Sequence, residues 1–154
     1  MFRSTAANRL LDGKLVYIAE DYSFDTIYRS TPGATSILVN DIQIEISIDK
    51  LVVAIWGMCP HTTWKEGHVY KPTSMVGNLW FDEELTPGIS IRVTQPNEYW
   101  PVIFDPHSGW INIGNGLIEN DFAVEFVKGC VVSLREGKVA SLFLHPQIQM
   151  QMAT

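Results

Sequence analysis

The sequence predicts an all-β, mainly antiparallel fold: a single-domain sandwich or barrel of about eight to ten short strands, with little helix. Three observations predict it. Apolar and polar residues alternate strictly through Ile42-Gln43-Ile44-Glu45-Ile46-Ser47-Ile48, the pattern of a strand with one face in water. Short apolar segments recur between clusters of Gly, Pro, Asn and Asp, residues that end strands and turn the chain. No helical periodicity persists over the length of a helix.

Taken in order, Arg9-Leu10-Leu11 and Lys14–Ile18 flank Asp12-Gly13, a dipeptide suited to the positive φ angles of a two-residue hairpin, so a hairpin is predicted there. The alternative for Ser4–Leu11 is a helical turn capped by Ser4. Ile42–Ile48 reads as a half-buried strand with its four isoleucines facing inward. After Asp49-Lys50, the continuous apolar run Leu51–Trp56 suits a strand covered on both faces, and Trp56 is assigned to the core. Further strands are expected at Met75–Phe81, with Trp80 in the core, at Ile89–Val93 after Pro87-Gly88, and at Tyr99–Phe104, Trp110–Ile113 and Phe122–Phe126. Glu136-Gly137 divides Cys130–Arg135 from Lys138–Leu144 and predicts a second hairpin. Residues 1–146 are expected to form one domain. The tail, 147–154, alternates and would add an edge strand. Its Ile148, Met150 and Met152 are costly to expose, which points to a homodimer.

Composition bounds the function. Hydrophobic residues make up 46% of the 154 and charged residues 18%, against about 25% charged in ordinary domains, so a folded body with one core is expected. Eleven basic residues face 17 acidic ones for a net charge of -6, and the basic ones are scattered from Arg3 to Lys138. Without a basic stripe there is little to release counterions from a phosphate backbone, which disfavours nucleic acid. A basic protein partner suits this charge. The longest apolar run falls far short of the ~20 residues of a membrane helix. Asp12-Gly13-Lys14 splits the first twenty residues, leaving no secretion-signal core. A cytoplasmic location is therefore expected, with Cys59 and Cys130 as thiols.

Two stretches break the strand rhythm, Gly57–Ser74 and Asn97–Gly116, and long connections in compact domains often carry function. Cys59, His61 and His68 share the first, with His107 and His145 as further metal-ligand candidates, but the spacing fits no zinc pattern and no metal or other cofactor is assigned. Cys59 beside His61 is a weak nucleophile–base pair across Pro60. Glu98 and Asp105 flank an aromatic run in the loose manner of a glycosidase acid pair. Gly109–Gly116 lacks the Gly-Lys-Ser/Thr ending of a phosphate loop and reads as turn glycines. No catalytic residue is assigned. The binding candidates are Trp64, Trp100 and Trp110 with the polar groups His61, His68, Asp105 and His107, since aromatic anchors and a few polar contacts make recognition surfaces. The leading expectation is a non-enzymatic protein- or peptide-interaction domain, inhibitor- or immunity-like by class. A β-barrel holding a small apolar ligand is the alternative, and a hydrolase without a linear motif is third.

Overall fold

The computed structural model describes residues 1–149. The chain forms strands β1 (Phe2–Ala6), β2 (Lys14–Ile18), β3 (Ser23–Ile27), β4 (Thr35–Val39), β5 (Ile42–Ile46), β6 (Val52–Met58), β7 (Lys65–Glu66), β8 (Met75–Phe81), β9 (Ile91–Arg92), β10 (Val102–Phe104), β11 (Ile111–Gly114), β12 (Phe122–Val127), β13 (Cys130–Arg135), β14 (Lys138–Leu144) and β15 (Gln147–Gln149). Among the described residues, helix is limited to single 3-10 turns at Ala19–Asp21 and His61–Thr63.

Eight strands build a first sheet in the order β1-β8-β12-β13-β14-β11-β10-β7, and seven build a second in the order β15-β2-β3-β6-β5-β4-β9. Neighbours run antiparallel except at β8/β12, β7/β10, β2/β15 and β4/β9. The fold is all-β and is a sandwich; the barrel allowed by the sequence does not close. The strand count exceeds the expectation because several strands are only two or three residues long. In addition, β3 and β4 carry Ser, Asp and Thr among their apolar positions, which hides their alternation.

Alternation places the core. Ile42, Ile44 and Ile46 are at most 1% exposed, whereas Gln43 and Glu45 lie on the opposite face. Phe24, Ile55, Leu79, Phe126 and Leu142 join them between the sheets, each burial favourable by roughly 1.5–3 kcal/mol. A second, smaller cluster lies on the outer face of the first sheet, where Val69 packs with Trp110, Ala123, Val131 and Phe143. Val69 belongs to a strap, residues 67–74, that crosses this face after β7.

The hairpin at Glu136-Gly137 forms as expected, with Arg135 opposite Lys138 and both turn residues at positive φ, 54° and 77°. The hairpin at Asp12-Gly13 does not form. β1 pairs with β8 and β2 with β3, so this segment carries the chain from one sheet to the other. Gly13 is needed there for close approach, since a Cβ would lie 2.8 Å from Thr26 Cγ2. Ile48 is 71% exposed, not inward; β5 ends at Ile46 because Ser47 starts a tight turn, its carbonyl accepting from Lys50 N at 2.9 Å and its Oγ from Leu51 N at 3.2 Å. Ile89–Val93 shortens to Ile91–Arg92, with Ile89, Ile91 and Val93 exposed. Trp80 lies outside the core on the outer face of β8, its indole N–H donating to Thr5 Oγ1 at 3.0 Å beneath the Arg3 guanidinium. Trp56 likewise falls among the residues of the outer face of the second sheet.

The sheets are tied by backbone hydrogen bonds at two corners. Leu11 N donates to Phe126 O and Phe81 N to Lys50 O, both at 2.9 Å. These ties lie where β2 and β6 begin.

Candidate functional site

At the other end of the second sheet, where β2 and β6 finish, the chain turns sharply through Cys59-Pro60 into the His61–Thr63 turn. Tyr17, inward-facing near the end of β2, fixes that turn. Its hydroxyl donates to Cys59 O at 2.7 Å and accepts from His61 N at 2.9 Å. Burial pushes the Tyr17 phenol up from 10.0 to about 12, so it stays protonated as a donor. Trp64 then folds back over Tyr17, with ring centroids 4.7 Å apart, and packs on Phe104 at 5.5 Å and Phe24 at 6.2 Å. Its indole N–H donates to Cys59 Sγ at 3.3 Å. His61 stacks on Tyr22 at 5.3 Å.

The result is a preformed aromatic groove of about 320 Å³ lined by Tyr17, Ala19, His61, Trp64, Phe104 and Ile148. Lys65 and Glu66 stand at its rim. Lys65 also borders a second groove of about 420 Å³, whose walls include Met58, Pro60, Tyr99 and Trp100. Trp100 is positioned by Asn40, which holds both its backbone N–H, at 2.9 Å, and its carbonyl, at 3.0 Å. Asp41 and Met58 continue into a third trough of about 600 Å³ on the outer face of β3, β6 and β5. There Asp21, Asp25, Asp41 and Glu45 outnumber a single guanidinium, Arg29, which pairs with Glu45. Trp56 Nε1 is buried in this region with no acceptor.

No protein-family model, curated protein or solved structure matches the chain.

The structure brings His61 and Trp64 together and sets Trp100 in the adjoining groove. It places the remaining candidates elsewhere. Trp110 is 8% exposed beneath the strap and stacks on His145 at 5.0 Å, so packing, not access, defines it. Asp105 is buried and accepts from Val69 N at 3.0 Å, His107 N at 2.9 Å and Ser108 N at 3.4 Å. Val69 N–H is the strongest of these influences, and together they hold the Asp105 carboxyl below the ordinary carboxylate range. His68 and His107 are exposed beside this clamp, and neither lines the aromatic groove.

Reactive chemistry finds little support in these positions. The Cys59 thiol is buried, and desolvation pushes it up from 9.0 to about 11, the opposite of an activated nucleophile. Asp105 is committed to three amides, while Glu98 is exposed. Among the described residues, no three His, Cys, Asp or Glu side chains converge as a metal site would require.

Sequence reasoning missed Tyr17 and Phe104, which sit in strand-like runs and carry no local mark of a site, and it marked Ile148 only as part of a self-association edge. The polar tip on an otherwise apolar segment, Leu15-Val16-Tyr17-Ile18, is the one signal that sets Tyr17 apart.

Proposed function

We propose that this protein is a non-enzymatic interaction domain that receives a basic segment of a partner protein across the end of its sandwich. The observation that carries the reading is the preformed floor of Tyr17, Trp64 and Phe104, held by packing and by the Tyr17 hydroxyl in the absence of a reactive set. Half-exposed aromatic anchors beside apolar grooves are what recognition surfaces use. Charge supports a basic occupant: the chain carries -6, and the adjoining trough is rich in carboxylates, which speeds encounter with an opposite charge. No described helix is long and apolar enough to cross a membrane.

The test uses a panel of synthetic Lys/Arg-rich peptides carrying one apolar anchor residue. Binding that weakens at least tenfold in Trp64→Ala, and weakens with added salt, supports the reading. A panel that fails to bind, or binding that leaves the Trp64 and Trp100 indole signals unmoved, counts against it. A cytoplasmic setting and a homodimer formed through the Gln147–Gln149 edge belong to the same proposal. Met150 and Met152, which the tail argument also used, lie outside the described residues. Light scattering of the chain ended after Pro146 reads the dimer, and an unchanged mass contradicts it.

A further inference from the structure

We infer that a basic pocket at the tied end of the sandwich, beside the start of β2, binds the phosphoryl group of a small phosphate ester. This inference stands independently of the interaction surface. The pocket measures about 440 Å³, and its lining includes Lys14 and Leu15 from β2, Lys128 from the β12–β13 turn, and His145, Pro146 and Gln147 from the β14–β15 connection. Three separate segments thus bring two lysines and a histidine to the lining of one cavity.

No carboxylate lines it, although the chain holds 17 acidic residues against 11 basic ones. Glu125, on the strand leading to Lys128, is committed elsewhere: its Oε1 accepts from Lys71 Nζ at 3.2 Å and its Oε2 from Gly129 N at 2.9 Å. Asp12 borders a different depression, with Ala7, Arg9 and Ser30. Neither Lys14 nor Lys128 forms an ion pair among the described residues, as is also true of Arg9, Lys50, Lys65 and Lys138; these two are the ones that share a cavity without a carboxylate.

His145 is seated, not free to swing. Its ring stacks on Trp110 at 5.0 Å and 20°, its backbone N–H donates to Gly129 O at 2.9 Å, and a Cβ on Gly109 would approach Nε2 to 3.0 Å. A terminal phosphate carries up to two negative charges and three acceptor oxygens, which suits a cavity lined by two lysines and no carboxylate. A carboxylate offers one charge and two oxygens. Lysine serves phosphate as a point charge and needs no planar fork. The volume of about 440 Å³ exceeds what a bare ion fills and falls among the ~300–1,000 Å³ of small-molecule pockets, leaving room for the ester's organic part.

Two-dimensional NMR titrations of the protein at fixed ionic strength, with inorganic phosphate, glycerol 3-phosphate, sulfate and acetate in turn, test the assignment. Saturable shifts at Lys128, Gly129, His145 and Gln147 are expected with phosphate and with the ester, the ester binding at least as tightly. Lys14→Gln and Lys128→Gln should each weaken binding by about tenfold, and Lys128→Arg should retain it. Lys50→Gln and Lys138→Gln, charge changes elsewhere, should leave it unaltered. Shifts that fail to saturate, or that persist in the Lys14→Gln/Lys128→Gln double variant with its spectrum otherwise unchanged, would mean an adventitious ion only and overturn the proposal. Acetate or sulfate binding as tightly as phosphate overturns the phosphoryl assignment.

Discussion

Cys59 sits 5% exposed beneath the Trp64 indole, and Cys130 is fully buried between the sheets. Desolvation raises both thiols, Cys59 to about 11. A group whose value is higher folded than unfolded stabilises the fold fully below its unfolded value, 9.0 here, and that contribution disappears as pH rises toward 11. For Cys59 alone the loss is on the order of 2 kcal/mol, and Cys130 and Tyr17 act in the same direction. The urea midpoint should therefore fall steadily above pH 9; a flat profile from 8 to 11 contradicts this. Neither thiol should react with iodoacetamide at neutral pH until the chain unfolds, and rapid native-state labelling would refute the burial argument. At this scale the sequence marked His61 and Trp64 because they stand in an irregular stretch. Tyr17 and Phe104 were illegible as their partners, since nothing local records which distant strand ends meet. Trp110 misled for the converse reason: a ring in a loop looks accessible until the strap carrying Val69 covers it.

The strap 67–74 is held by one carboxylate more than by its own strand pairing. Asp105 accepts from Val69 N, and Ser108 Oγ donates to Val69 O at 2.6 Å. Replacing Asp105 with Ala leaves buried N–H groups without an acceptor, at roughly 1–3 kcal/mol each. Asp105→Ala should therefore speed amide exchange through 67–74 while β13 and β14 stay protected; uniform loss of protection, or none, would sink the clamp. The same carboxyl, lowered by those donors, stabilises the fold above its ordinary range and ceases to do so as pH falls through the depressed value. The strap should thus exchange faster in acid before the sheets melt. The two hairpin signals show what elements disclose. Glu136-Gly137 joins strands whose own alternation makes them natural neighbours, and local turn chemistry decides the outcome. Asp12-Gly13 carries equal turn chemistry, but Leu11 pairs beside Val127 in the first sheet, its N–H donating to Phe126 O, so the chain crosses between sheets there and does not fold back.

The all-β class was readable because period-two burial is a local property, repeated in most strands. Strand order was not, because β1 joins β8 and β15 joins β2, contacts between remote parts of the chain. Closing such loops before they are rewarded is slow, so refolding should take on the order of milliseconds to seconds; microsecond refolding would deny that these pairings limit the rate. The backbone ties from Leu11 and Phe81 have a mechanical result. They clasp the two layers where β2 and β6 start, and the Asn40 side chain grips Trp100 near the point where β6 finishes. A guest laid on Tyr17, Trp64 and Phe104 therefore meets rings braced from both sides, and its arrival demands little rearrangement of either ladder.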